Sequence, residues 1–480
     1  MCCRRVRSRS TLSSCRGAAE TIAASPLKAE FAENLRDEVR LQRRITLPLL
    51  AAFLVELGIY YTDMLVIGRL GSLALGGVGL AGAILWEATY VGFSMLTVVS
   101  VIVAHGFGAD RLSEVGAGVR TGLWLAVAIS VPWMAFGWFL PDILLATGQD
   151  PEVVAVGRDY LHAMIWHLPA TFLFMVLRQL VTGLSRPVVI TVITAAAVPA
   201  NLVLDIVLVF GYLGMPAMGV AGAGVATTVV SWLKLAVMVV YILRQPQFDA
   251  FGPFRDLFSF DGAMWRQVLR LGLPVATVRV IEGSMSQATT FLMGFFGASA
   301  LAAHSVLTGV AMLSGSIAVG FGHGASVRVA QEFGGKRMKG AVRAGWFGIS
   351  GVTLVVLPVS LALCIVPDAI TAIVLDAGDP ANAEAFALVR EMRWVAAIFF
   401  LVQAGEVVLS RALRGFKDMM VPMAMSALGF LVIGIPAEWL LAFPLGGGPD
   451  ALWAGMALGF AATGGLLLLR WRRFGRRQAG

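Results

Sequence analysis

Past residue 44 the chain is a run of apolar segments, most of them about 20 residues or longer, the length at which one helix crosses a bilayer's hydrocarbon. Cutting at charges and Gly/Pro clusters gives twelve: 45–66, 76–104, 118–141, 158–184, 188–211, 219–243, 268–294, 301–329, 341–366, 392–414, 420–443 and 450–471. No water-soluble core can bury that many unbroken apolar helices. Composition agrees: 58% of residues are hydrophobic, 14% are charged and the mean hydropathy is +0.81. Short alternating strands, the mark of a membrane barrel, are missing from these Leu/Val/Ala/Gly runs. The expectation is an all-α integral membrane protein.

The net charge of +8 belongs to the connections. Even-numbered loops carry Arg111 and Arg120, Arg178 and Arg186, Arg244 to Arg270, Lys336 to Arg343, and Arg411 to Lys417. Odd-numbered loops are acidic or uncharged, with Asp142, Asp150 and Glu152 after span three and Asp368 to Glu384 after span nine. By the positive-inside rule both termini are expected in the cytoplasm, and the charge is a topology signal, not a nucleic-acid footprint. The basic N-terminus lacks an apolar h-region and does not read as a secretory signal. Residues 27–44 are expected to form a short amphipathic helix on the membrane surface. With three of four cysteines in the tail (Cys2, Cys3, Cys15; the fourth is Cys364) and five scattered histidines, neither a disulfide framework nor a metal cluster is expected.

An internal repeat organises the spans. At a constant offset of 226, Leu47-Pro48 maps to Leu273-Pro274, Glu56 to Glu282, Gly68 and Gly71 to Gly294 and Gly297, Phe107-Gly108 to Phe333-Gly334, and Arg111 to Arg337. Pro199-Ala200 and Pro436-Ala437 correspond at a slightly larger offset. The expected parts are a cytoplasmic tail (1–44), an amino lobe of six spans (45–244), a cytoplasmic linker (245–267), a carboxy lobe of six spans (268–471) and a basic cytoplasmic tail (472–480). Six spans per half give both halves the same orientation, a parallel repeat typical of alternating-access transporters.

Acids inside spans are costly and therefore mark candidate sites. Glu56 and Asp63 share a face of span one; Asn201 and Asp205 are one turn apart in span five beside the helix-loosening Pro199. If spans one and five pack together, an amide and two carboxylates offer the oxygens that Na⁺ or a proton relay needs. In the second half Glu282 repeats Glu56, and Gln403 with Glu406 puts polar groups in span ten. Glu87 and Glu438 are further candidates, nearer helix ends. Arg279, one turn before Glu282, is the chief basic residue expected at depth. No nucleophile–base pair is found, so an enzyme is not expected.

TDMLVIGRLG, NLVLDIVLVFG, GVAGAGVAT, LGLPVATVRVIE, FGASALAAH, VRVAQEFGG and ALRGFKDMMVP, in this order over residues 45 to 445, resemble the multidrug and toxic compound extrusion (MATE) family, in particular its NorM-type bacterial branch. The resemblance implies twelve transmembrane helices in two six-helix lobes, working without a cofactor as a monomer in the bacterial inner membrane. It implies export of cationic amphipathic small molecules in exchange for inward H⁺ or Na⁺. Asp63 then matches the family's span-one aspartate, Asn201, Asp205 and Thr227 its amino-lobe cation site, and Glu282 its span-seven glutamate. Where the branch often has a span-ten aspartate this chain has Gln403, with Glu406 one turn on. A lipid-linked oligosaccharide flippase or a narrow metabolite exporter of the same superfamily is the alternative.

Overall fold

The computed structural model describes residues 34–476 and, among them, is helical throughout. The first helix, α1 (Leu35–Gly68), opens on an Asn34/Asp37 capping box that satisfies two otherwise unpaired backbone donors. It is followed by α2 (Ser72–Gly108, interrupted at Thr97), α3 (Leu112–Ala146), α4 (Pro151–Met164 with His167–Gly183, bent by 50°), α5 (Val188–Phe210) and α6 (Val220–Arg244). The second half repeats the order with α7 (Gly262–Met293), α8 (Ala298–Gly334), α9 (Met338–Ile365), α10 (Ala383–Gly415), α11 (Met420–Ala442) and α12 (Gly448–Arg476). Nine of these helices pass for membrane spans on length and hydropathy, ten with the bent α4. Their outer faces carry bare apolar side chains, such as Val131, Val192, Val203, Phe291 and Leu354, 58–73% exposed, which a hydrocarbon solvent would cover.

The core is split in two. One cluster gathers side chains of α1 to α6, and the other begins at Ile281 and ends at Trp471. The division does not fall at the linker: Val268, Leu271 and Val275 of α7 and Val327 and Ala330 of α8 belong to the first cluster. The two lobes are thus interlocked through helices of the second. The linker is also less detached than its polar composition suggests. Phe248 and Phe251 are buried, and Trp124 Nε1 and Arg120 donate to the Leu257 and Gly252 carbonyls at 2.6 and 3.3 Å.

Two expectations are corrected. The surface helix predicted over residues 27–44 is, from Leu35 on, the first turns of α1 itself; residues 27–33 lie outside the described residues, as do Cys2, Cys3, Cys15 and 477–480 of the basic tail. Glu38 and Gln42 are buried there, because Glu38 accepts from the guanidinium of Arg328 on α8 at 3.2 Å. An acid facing a buried arginine gains more than one lying against lipid headgroups. Arg178, assigned to a loop, stands inside α4 and is 5% exposed.

Candidate functional site

The Val/Ile-rich α5 begins at Val188 and stops at Gly211, whose φ of 77° closes the helix in the left-handed conformation glycine tolerates. Pro199 lacks an N–H and cannot complete the ladder, so the backbone is loosened just before Asn201. Asn201 and Asp205 point the same way, and both are fully buried. Asn201 spends one amide N–H on Asp63 Oδ1 of α1 and the other on Asp205 Oδ2 at 2.8 Å. Thr227 Oγ1 of α6 donates to Asp63 Oδ2 at 3.3 Å. Spans one, five and six therefore meet at the four side chains picked out in the sequence.

Two carboxylates on one amide nitrogen, away from water, repel strongly unless one positive charge is shared between them. Asn201 Oδ1 and Asp205 Oδ1 are buried without a hydrogen-bond partner, so the cluster holds unused oxygen acceptors. The group fits a proton or a small alkali cation. With both amide hydrogens already directed at the acids, a proton needs less rearrangement than a metal ion would.

Glu56 behaves differently. It accepts from Arg178 Nη1 of α4 at 3.1 Å and lies 3.9 Å from Lys234 Nζ of α6. Arg178 also stacks on Phe53 and Lys234 on Phe174. Glu56 is thus a counter-ion shared by the buried Arg178 and the half-buried Lys234, and the expectation that basic residues are almost absent at this depth is corrected. Lys234 escaped notice, although it is seven residues after Thr227 on α6, as Asp63 is seven after Glu56 on α1; that double spacing was the available signal.

In the second half the predicted residues are not assembled by hydrogen bonds. Arg279 bridges Glu87 of α2 at 2.8 Å and Glu282 at 3.9 Å, and lies over Tyr90. Glu87 is therefore an ion-pair partner across the lobes. Glu406 is buried with neither oxygen bonded, and Gln403 Oε1 is likewise unpartnered. Glu438, despite its place near a helix end, is fully buried on α11 and accepts from Thr289 of α7 at 2.8 Å.

The MatE family model matches residues 48–207 and 274–440, once in each half. A probable multidrug resistance protein NorM of Bradyrhizobium diazoefficiens is 32% identical over 457 residues, covering 93% of this chain and 96% of its own length. The NorM of Rhodopseudomonas palustris is 34% identical, with 95% and 96% covered. Among solved structures, the eukaryotic MATE transporter AtDTX14 superposes with a TM-score of 0.81 at 20% identity, over 92% of this chain and 98% of that one. An outward-facing multidrug resistance MATE family transporter of the MOP superfamily gives 0.82 at 15%, over 94% and 100%. At these identities the two structures speak for the fold.

Proposed function

The chain belongs to the MatE family of secondary membrane transporters, and within it we propose a proton-driven exporter of cationic amphipathic compounds that works by alternating access. The observation that carries this reading is the Asp63–Asn201–Asp205 cluster: two buried acids on one amide, with no basic residue bonded to them among the described residues. A proton on the pair and a cationic substrate in the path would each cancel the same negative charge. If the two ligands favour different arrangements of the lobes, each drives the other's movement, by no more than its difference in affinity for the two states. The acids Glu282 and Glu406 of the carboxy lobe supply further attraction for a cation. In this reading the protein works as a monomer in a bacterial inner membrane with both termini in the cytoplasm.

The test is ethidium efflux from proteoliposomes under an inward H⁺ gradient and, separately, an inward Na⁺ gradient. Efflux driven by H⁺ alone is expected. Efflux driven by Na⁺ alone would overturn the choice of ion, and efflux under neither would overturn the exporter.

A further inference from the structure

The repeat that pairs Glu56 with Glu282 also pairs Asp63 with Thr289, at the same offset and inside the same gap-free stretch. The pairing of Pro199-Ala200 with Pro436-Ala437 makes Glu438 the counterpart of Asn201. In the amino lobe Asp63 and Asn201 are hydrogen-bonded between α1 and α5; in the carboxy lobe Thr289 and Glu438 are hydrogen-bonded between α7 and α11. The same contact recurs with its chemistry exchanged: the carboxylate has moved from the first helix of the lobe to the fifth. We propose that Glu438 is a second proton-binding site, located in the carboxy lobe and gated by the hydroxyl of Thr289. The inference rests on the proton-driven reading of the chain.

The local architecture holds Glu438 in place and dry. Residues Leu428–Gly434 of α11 form a wide π turn, a feature frequent at functional sites, and Pro436 follows it. The turn presses Gly434 onto Met285, one turn before Thr289. On the other side Gly455 of α12 lies against the Glu438 backbone, where any Cβ would collide. Glu438 Oε1 takes the Thr289 bond, while Oε2 is buried without a partner. The packed helices α7 and α12 carry titratable groups at Arg279 and Glu282, at Asp450 and at their arginine-rich ends, and His304 of α8 stands behind Thr290 at 3.0 Å. None of them forms an ion pair with Glu438 among the described residues. One carboxylate, one hydroxyl and the Met456 sulfur, 3.6 Å from Thr289 Oγ1, are too few hard ligands for Na⁺ but sufficient for a proton.

Thr289 supplies the gating. Its hydroxyl has one hydrogen and two acceptors in reach, Glu438 Oε1 at 2.8 Å and its own helix's Met285 carbonyl at 3.1 Å. When Glu438 is ionised, Thr289 donates to it. When Glu438 takes up a proton, that proton is donated to Thr289 Oγ1, whose hydrogen turns to Met285. In both states Glu438 Oε1 and Thr289 Oγ1 stay bonded to each other, so the proton enters and leaves without breaking this contact.

Infrared spectroscopy of the purified transporter tests this directly. At neutral pH the wild type should show a protonated-carboxyl C=O band that Glu438→Gln lacks, that Asp205→Asn retains and that Glu438→Asp restores. Thr289→Val should shift the band through loss of its hydrogen bond, and Na⁺ should leave it in place. In proteoliposomes Glu438→Gln should lower the number of H⁺ exchanged per ethidium. Identical bands in wild type and Glu438→Gln, or a band displaced by Na⁺, would overturn the site while H⁺-driven efflux stands. A wild type that shows the band but no H⁺-driven efflux would overturn the transport reading and uphold protonation at Glu438.

Discussion

Gly108 and Gly334 occupy equivalent positions in the two halves, and each presses its backbone against the opposite half: Gly108 on Gln331, Gly334 on His105. Gln331 is itself the repeat counterpart of His105, so the contact is reciprocal, as across a two-fold axis. No Cβ fits at either glycine. Around them Gln331 Nε2 donates to the Gly183 carbonyl and Ser185 Oγ, both at 2.9 Å, and Lys417 reaches Glu114 at 3.4 Å. In the proposed orientation these contacts fasten the two halves together on the cytoplasmic side, where they would act as a gate.

The gate should therefore fail by a single methyl group. Gly108→Ala or Gly334→Ala forces backbone against backbone, an overpacking cost of about 1–3 kcal/mol that falls only on the closed gate. A cysteine at position 185, in a chain whose other cysteines are serine, should react faster with a membrane-impermeant maleimide applied from the cytoplasmic side. Unchanged labelling in both variants would mean that the gate does not rest on these glycines.

A second fastening holds α1 to the carboxy lobe. Arg328, buried, pairs with Glu38 at 3.2 Å and Glu332 at 2.8 Å, both also buried. Removing the cation takes from two buried acids the charge they share, so Arg328→Met should cost about 3–5 kcal/mol, read as a lower melting temperature in detergent. Replacing all three residues by apolar ones of similar volume should recover part of the loss, because the charges of the trio leave the interior together. Failure of the triple variant to recover would show that the trio sets the helix arrangement as well as balancing charge.

At the amino-lobe cluster, Asp63→Asn keeps the shape and removes the charge. Efflux of ethidium should fall to the level of empty liposomes while the protein stays folded in the membrane. Thr227→Ala deletes one hydrogen bond to the Asp63 carboxyl, long at 3.3 Å and worth about 1 kcal/mol, and should slow efflux by roughly fivefold. Full efflux by Asp63→Asn would remove the aspartate from the coupling.

Much of this cluster could be read in the sequence, because helical spacing puts Asn201 and Asp205 on one face and the repeat names the helices that must meet. The roles of Glu56 and Glu38 could not. Both are settled by cations far along the chain, Arg178 and Lys234 for the first and Arg328 for the second, and side-chain pairing between distant helices leaves no periodic trace. Segment hydropathy likewise misplaced the start of α1, since polar residues that face a buried partner look the same as polar residues that face water. Glu438 looked marginal for a related reason: its place near a helix end suggested snorkelling, yet the π turn and Gly455 enclose it.

Glu56 and Asp63, two turns apart on α1, should respond to the same substitution in opposite ways. Asp63 lies among neutral and acidic neighbours, so losing its charge costs function and little stability. Glu56 balances Arg178 and Lys234, and Glu56→Gln leaves the buried Arg178 and the half-buried Lys234 with their counter-ion gone. That variant should lose about 1–3 kcal/mol of stability, since Glu56 is partly exposed, and its remaining folded fraction should still exchange H⁺ for ethidium. Adding Lys234→Met to it should restore part of the lost melting temperature, since one of the two stranded charges is removed. A Glu56→Gln protein that melts like wild type yet cannot transport would instead place Glu56 on the proton path beside Asp63.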